Sequence, residues 1–126
     1  ARYINASHES GCDPIDIETG VKKLGFDCLY KRESSIEEIK KYLDQNIAVI
    51  VQWFSPEENG HYSPVVGFED DEILLADPAL GKIRRMKVSQ FILRWFEIDQ
   101  YPPQNPCNFT LRDIIVISRN TLCPTV

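Results

Sequence analysis

The stretch GHYSPVVGFEDDEILLADPALGK, residues 60–82, contains two apolar runs separated by a compact acidic turn. The first run follows His61, and the second ends at Asp77. Short apolar runs bounded by turn residues predict strands, and a connection as short as residues 69–71 predicts an antiparallel hairpin. Because antiparallel pairing brings the start of one strand beside the end of the next, we expect His61 and Asp77 to meet at one edge of a sheet.

Two interpretations are open for His61 and Asp77. Polar residues are common where strands end, and residues 77–81 (DPALG) form a turn on their own account. A histidine held beside a carboxylate is also the arrangement of a general base and the acid that fixes its tautomer. The pattern alone does not decide between strand ends and a catalytic pair. The other histidine, His8, lies in a polar N-terminal stretch, where we expect it to be solvated.

The segments before this hairpin predict two helices and a buried strand. Asp13 and Pro14 suit the start of a helix, and Gly25 suits its end. Residues 35–38 (SIEE) form a capping box at the start of a second helix, which we expect to reach Asn46. The run IAVIVQWF, residues 47–54, is almost continuously apolar and predicts a central strand buried on both faces.

Shorter elements complete the predicted order. They are strands at residues 26–31, 82–87 and 112–118, and a short aromatic helix capped by Ser89. A helix, a strand, a helix and then a run of strands with short turns predict an α+β fold, with an antiparallel sheet and the helices packed on one side. Trp95 and Phe96 are expected to anchor the short helix to that sheet.

The composition is that of one globular domain. A chain of 126 residues with 43% apolar content is long enough to bury a core without disulfides or metals. We therefore expect one domain over residues 1–126, with an irregular N terminus at residues 1–10 and a proline-rich excursion at residues 99–110. The net charge of −5 and the pI near 5.0 argue against nucleic-acid binding. No apolar run has the length that membrane insertion requires.

Several polar and aromatic residues near the hairpin have ordinary explanations. A basic cluster follows the hairpin and is expected to be a solvated strand face, since acidic residues precede it closely; its members are Lys82, Arg84, Arg85 and Lys87. Gln52 could donate a hydrogen bond near His61, but a strand glutamine is expected to face solvent. Trp53 and Phe54 could line a substrate groove, although core packing is the preferred interpretation.

The four cysteines are widely spaced, and none forms a Cys-x-x-Cys pair, so we expect no zinc and no other cofactor. Cys28 lies within a predicted strand and is expected to be a small core residue. Cys107 and Cys123 lie in irregular segments and could pair with each other. Cys12 lies just ahead of a helix N terminus, where the dipole favours a thiolate, and is a candidate nucleophile. A domain of this size needs no disulfide, and a cytoplasmic location is the preferred expectation.

The stretch at residues 60–82 resembles the His-to-Asp segment of the papain-like double-glycine cysteine peptidases, which process bacteriocin leaders. That family shows a histidine, an aromatic residue, valines, a glycine, an acidic turn, a short apolar strand and Asp-Pro. Three further segments resemble the family in the same order: GCDPIDIETGVKKLGF at residues 11–26, SSIEEIKKYLDQNIAVIVQ at residues 34–52 and VSQFILRWF at residues 88–96. The resemblance covers roughly residues 11–97, most of the chain.

The resemblance implies a papain-like fold and cysteine peptidase activity, with no cofactor. It implies that His61 is the general base and that Asp77 orients it. It also implies a peptide or protein substrate, and a larger chain or a transporter as partner. The family nucleophile is a cysteine at a helix N terminus, preceded by a glutamine of the oxyanion hole. Both precede the segment that corresponds to residue 11, whereas residues 1–10 (ARYINASHES) contain neither.

Three explanations of this departure are open, in all of which the N-terminal helix of the family is missing or altered. The nucleophile helix could belong to a larger molecule of which this chain is the C-terminal part. The domain could instead be an inactive relative that binds a peptide or docks a partner protein. Cys12 could also be the nucleophile, although its helix corresponds to a later helix of the family. A further alternative is an ordinary globular domain in which His61 and Asp77 are polar residues at strand ends and have no catalytic role.

Overall fold

A six-stranded antiparallel sheet forms the centre of the fold. The computed structural model describes residues 6–7, 11–12, 14–55, 59–77, 81–98 and 109–119. The elements in chain order are β1 (Ala6–Ser7), β2 (Gly11–Cys12), α1 (Pro14–Lys23), β3 (Asp27–Lys31), α2 (Ile36–Asp44), β4 (Ala48–Ser55), β5 (Asn59–Glu69), β6 (Glu72–Asp77), β7 (Lys82–Lys87), α3 (Val88–Arg94), β8 (Phe96–Ile98), β9 (Phe109–Leu111) and β10 (Ile114–Ser118).

The strand order of this sheet is β3-β10-β4-β5-β6-β7, and every neighbouring pair is antiparallel. The antiparallel α+β fold is therefore confirmed, as is the interior position of β4. The three strands β5, β6 and β7 form the meander that the short turns predict. By contrast, β10 comes last in the chain and inserts between β3 and β4, which local turn signals do not reveal.

The sheet buries apolar side chains on both of its faces. One face, which we call the first face, carries Val51, Trp53 and Leu75 and packs with the buried residues of α2 and α3. The opposite, second face carries Cys28 and Ile115, which pack with Ile17 of α1. The expectation that the helices pack on one side holds for α2 and α3 but is wrong for α1. The reason lies in β10, whose residues are buried on alternate sides and so need a helix over each face.

The start of α2 follows the predicted capping box. The Ser35 hydroxyl accepts a hydrogen bond from the backbone N–H of Glu38 at 3.2 Å. The helix ends at Asp44, slightly before the expected Asn46, which lies outside the helix with a left-handed φ of 58°. Asparagine tolerates that conformation better than most residues, so Asn46 turns the chain towards β4.

The predicted cap of α3 is wrong. The helix begins at Val88, its N-cap residue is Lys87, and no side chain supplies a cap bond. The backbone N–H of Val88 instead donates to the carbonyl of Asp71 at 2.8 Å, so the turn between β5 and β6 determines where α3 starts. The expected anchoring by Trp95 is confirmed, since its ring is buried and its Nε1–H donates to the carbonyl of Asp113 at 3.0 Å.

Two segments that the sequence predicts to be irregular contain short strands in the structure. Within residues 1–10, β1 pairs with β2, so the N terminus is not irregular at Ala6–Ser7. Within residues 99–110, residues 109 and 110 belong to β9, which pairs with β8. The remainder of the proline-rich excursion, His8 and the suggested Cys107–Cys123 pair lie outside the described residues. In the part of the chain that is described, no helix is long and apolar enough to cross a membrane.

Candidate active site

The hairpin of β5 and β6 carries both predicted site residues. Its pairing runs from Glu69 and Glu72 to Val65 and Leu75, and both His61 and Asp77 lie beyond that last pair. His61 lies two residues before Ser63, so the period of a strand puts both on the first face, where Leu75 and Asp77 also lie. His61 and Asp77 therefore lie on one face of the sheet, at the same end of two adjacent strands.

Trp53 fixes the orientation of the His61 ring. The two residues are partners across the β4–β5 pair, and their rings stack with centroids 4.6 Å apart and an interplanar angle of 23°. The indole is 1% exposed, and its Nε1–H donates to the hydroxyl of Ser63 at 3.0 Å. The predicted core role of Trp53 is confirmed. The buried indole also packs against the imidazole and limits its rotation. The Nε2 atom of that imidazole is buried.

Arg84 joins Asp77 to this aromatic pair. Its Nη2 lies 2.7 Å from Oδ2 of Asp77, and its guanidinium carbon lies 5.3 Å from the centre of the Trp53 ring. Arg84 is paired with Leu75 across β6 and β7, so it projects from the first face. We call His61, Trp53, Asp77 and Arg84 the first-face cluster. It combines an imidazole, a carboxylate and a guanidinium around one indole.

The expectation that the whole basic cluster is a solvated face is wrong for Arg84. Its side chain is 27% exposed, whereas that of the adjacent Arg85 is 46% exposed and is bonded to Glu72 on the second face. The signal that sequence reasoning missed is the alternation of β7. Arg84 has the same parity as Met86, a buried core residue.

Gln52 departs from expectation as well. It is 8% exposed rather than solvated, because it lies on interior strand β4 opposite Tyr62. This position is on the second face, so the structure does not bring Gln52 to His61. Its Oε1 atom is buried, and no described residue donates a hydrogen bond to it.

The described cysteine side chain does not suit a nucleophile. Cys28 is buried in the core of the second face, and burial raises the pKa of its thiol from 9.0 to about 11. The thiol therefore stays neutral near pH 7, as expected for a core residue. Cys12 lies in β2, directly ahead of α1, which packs on the face opposite to His61. The Cys12 side chain lies outside the described part of the chain, so its role as the nucleophile stays a prediction.

Gly60 and Glu97 meet next to His61 along β5, on the side that strand alternation assigns to the second face. Gly60 precedes His61, and a Cβ atom at that position would come within 2.8 Å of the Glu97 Oε1 atom and closer still to Oε2. The strand β8 therefore lays a carboxylate directly over the backbone that leads to His61. Within the described ranges, the His, Cys, Asp and Glu side chains form no group of three that could hold a metal ion. The chemistry that the described cluster offers is proton transfer at an oriented imidazole.

Comparisons with known proteins agree with this fold. The architecture is that of a papain-like peptidase domain, and residues 9–102 match the family model described as Peptidase_C39 like family. Because this match covers most of the chain, the chain belongs to that family. The expectation of a double-glycine peptidase relative is thereby confirmed.

A curated relative and two solved structures are similar to the chain. The Lactococcin-G-processing and transport ATP-binding protein LagD of Lactococcus lactis subsp. lactis is 30% identical over 101 residues. This alignment covers 80% of the chain but spans only 14% of the relative's length. The peptidase domain of Streptococcus ComA, described as a bi-functional ABC transporter involved in a quorum-sensing pathway, superposes with a TM-score of 0.63 at 20% identity, covering 90% of this chain and 72% of that one. The Streptococcus mutans ComA peptidase domain gives a TM-score of 0.64 at 19% identity, with coverage of 93% and 83%.

Proposed function

We propose that this domain belongs to a cysteine peptidase in which His61 is the general base and Asp77 orients it. The observation that carries the proposal is the shared edge and face of these residues on β5 and β6, with the imidazole stacked on Trp53. A stacked ring keeps one orientation, and a nearby carboxylate selects one tautomer. Both conditions favour an imidazole that presents the same nitrogen to the nucleophile in every catalytic cycle.

The reaction follows from these roles. The imidazole of His61 takes the proton of a cysteine thiol, and the thiolate sulfur bonds to the carbonyl carbon of a peptide. The tetrahedral adduct collapses with cleavage of the C–N bond, and the departing amine takes the proton from the imidazolium. Water then attacks the thioester carbonyl, with His61 accepting its proton; the C–S bond breaks, the carboxylic acid is released, and the thiolate recovers a proton from the imidazolium. Asp77 stabilises the imidazolium in both halves of the cycle.

The nucleophile in this proposal is a cysteine N-terminal to residue 11, on a helix in the position that the family resemblance implies. Residues 1–10 contain no cysteine, so we propose that a larger molecule containing this domain supplies it. The length of LagD, of which the matching region is only 14%, supports a larger molecule. By the same comparison, we propose a peptide substrate and a transporter as the partner of this domain.

One observation favours a second candidate, a peptidase-like domain that binds a peptide without hydrolysing it. The Asp77 carboxylate is paired with Arg84, which takes up one of the two oxygens that could face the imidazole. A binding domain predicts saturable peptide binding without turnover. That binding would persist in His61→Ala, whereas hydrolysis that depends on His61 would exclude this second candidate.

Covalent labelling tests the first proposal. The protein encoded by the complete gene is treated with a thiol-reactive peptidyl electrophile, and the labelled cysteine is identified by mass spectrometry. We expect rapid labelling of one cysteine in the parent and in the matched control His8→Ala, and slow labelling in His61→Ala. If no cysteine reacts in a His61-dependent manner, the proposal is wrong.

A further inference from the structure

The side chain of Arg84 occupies the same part of the site as His61 and Asp77. We propose that Arg84 is a positioning residue that holds the Asp77 carboxylate in place for His61, an inference that rests on the proposed peptidase function. It acts through Asp77, and we assign it no contact with the substrate. The juxtaposition that carries the inference is the ion pair to Asp77 at 2.7 Å together with the contact to Trp53.

The ion pair is more enclosed than the other ion pairs of β7. The side chains of Arg84 and Asp77 are 27% and 13% exposed, whereas Arg85 is 46% exposed in its pairs with acidic residues. Exposed ion pairs contribute little because water and salt screen them. Partial burial removes that screening and makes the orientation of the two charged groups more definite.

The guanidinium of Arg84 has a shape that suits it to hold the Asp77 carboxylate in place. It is planar, stays charged, and presents several N–H donors in a fixed fork, so it can bond Oδ2 of Asp77 while its plane lies near the Trp53 ring. A carboxylate has two oxygens, so a bond from Arg84 to Oδ2 restricts its rotation without engaging Oδ1. Trp53 is thus common to both halves of the cluster, because it contacts the base and the residue that holds the acid.

The register of the sheet explains why residue 84 can reach both partners. Asp77 is paired with Lys82 and Leu75 with Arg84, so Arg84 is the diagonal neighbour of Asp77 on the first face. The Trp53 indole reaches Ser63 on β5, and in this way it approaches the meander strands. Lys82, the direct partner of Asp77, lies on the same face but is exposed, whereas Arg84 is half-buried, and Arg85 projects to the second face.

Inactivation kinetics with the peptidyl electrophile test this role in the protein encoded by the complete gene. Binding gives KI, and the bond-forming step gives kinact. Because Arg84 orients the base and does not bind the substrate, we expect Arg84→Met to lower kinact roughly 10- to 100-fold with KI unchanged. Arg84→Lys should recover part of this loss, since it keeps the charge but not the fork. The matched control Arg85→Met removes the adjacent arginine from the second face and should leave both constants unchanged.

A double-mutant comparison separates positioning from a general structural effect. If Arg84 acts through Asp77, Arg84→Met should cause no further loss of kinact in the Asp77→Asn background. Multiplied losses in the double variant, or a parental kinact in Arg84→Met, would overturn the inference while the peptidase proposal stands. An unlabelled parent would overturn both. If circular dichroism shows that Arg84→Met is unfolded, Arg84→Lys carries the test, and a parental kinact in that variant contradicts the inference.

Discussion

Trp53 shows how one residue can serve the core and the candidate site together. Its indole is almost wholly buried, yet it stacks on the imidazole of His61 and contacts the guanidinium of Arg84. A buried aromatic ring moves little, because close packing on all sides leaves no room for another rotamer. The candidate base therefore rests on a closely packed ring, and a fixed support of this kind is what a catalytic group needs.

The close approach of Glu97 to Gly60 gives a prediction at the same scale. We expect Gly60→Ala to displace the Glu97 carboxylate, which is the end of a flexible side chain, and to cost about 1 kcal/mol of unfolding free energy. The cost should disappear in the Glu97→Ala background. Urea denaturation of the two single variants and the double variant measures these values.

Gly67→Ala is the matched control for this prediction. A Cβ atom at Gly67 meets nothing within 4 Å, so the substitution should be neutral or should stabilise the protein by up to about 1 kcal/mol. An equal loss of stability at both glycines would show that Glu97 is not the cause. So would a Gly60→Ala cost that persists without the Glu97 side chain.

The sequence predicts some members of the site and misses others for a physical reason. His61 and Asp77 are predictable because a short hairpin determines which strand ends meet. Arg84 and Gln52 are not, because their burial depends on which strands are interior and which faces carry helices. Only the complete sheet order supplies that information. The alternation of β7 was a usable signal for Arg84, since it follows the parity of Met86.

At the scale of single elements, α2 and α3 begin where they do for different reasons. A local sequence pattern determines the start of α2, and a tertiary contact determines the start of α3. The capping box of α2 is a local pattern, and the structure contains its Ser35–Glu38 bond. Ser89 offers a similar pattern, but α3 begins two residues earlier than a Ser89 cap predicts, because the backbone N–H of Val88 donates to the carbonyl of Asp71. Local capping signals therefore predict the start of α2 correctly. They fail for α3, because β7 ends at Lys87 and the helix follows it without a connecting loop.

This difference gives a matched pair of serine substitutions. Ser35→Ala removes a real cap and should lower the unfolding free energy by about 1 kcal/mol. Ser89→Ala removes an exposed hydroxyl that caps nothing and should change stability by less than about 0.5 kcal/mol. Chemical denaturation of both variants measures the difference. Equal effects of the two substitutions would contradict the assignment of the caps.

At the scale of the whole molecule, β10 joins the edge strand β3 to the rest of the sheet. It is the last strand in the chain, yet it lies between β3 and β4 and buries Ile114, Ile115 and Val116. The family match ends at residue 102, before this strand. The sheet nevertheless depends on it, since without β10 the strands β3 and β4 have no common neighbour and both core clusters lose members.

Truncation tests that dependence. Removal of all residues after 98 deletes β9 and β10, and we expect the remaining chain to lose cooperative unfolding because its central apolar strand is absent. Removal of the residues after 119 leaves every described strand in place and should preserve the thermal transition. Circular dichroism during heating distinguishes the two truncated chains. A cooperative transition in the shorter one would show that β10 is dispensable.

The buried acids of the second face predict a loss of stability in alkali. Burial raises the pKa of Cys28 from 9.0 to about 11, and burial with a hydrogen bond to Asp113 raises that of Tyr30 from 10.0 to about 12. Both groups are neutral when folded, so their contribution is complete below pH 9 and is lost as the pH rises towards 11 and 12. For Cys28 this loss is about 3 kcal/mol.

Urea denaturation between pH 8 and about pH 11, where each buried group begins to ionise in the unfolded chain, measures this effect. The unfolding free energy of Cys28→Ala should fall less steeply over this range than that of the parent, because the variant has no thiol to ionise. Parallel curves for the two proteins would show that the thiol is not desolvated. Comparison of the parent with the variant cancels the contribution of the lysines, which also titrate there.

The central claim is that His61 and Asp77 serve a cysteine nucleophile, and peptide hydrolysis measures it most directly. The protein encoded by the complete gene is assayed with a peptide that contains a double-glycine cleavage site, as the parent and as His61→Ala, Asp77→Asn and the control His8→Ala. We predict a fall in kcat of about 10²- to 10⁴-fold for His61→Ala, a smaller fall for Asp77→Asn and no change for His8→Ala. Hydrolysis by His61→Ala at the parental rate, or no hydrolysis by the parent, would contradict the account.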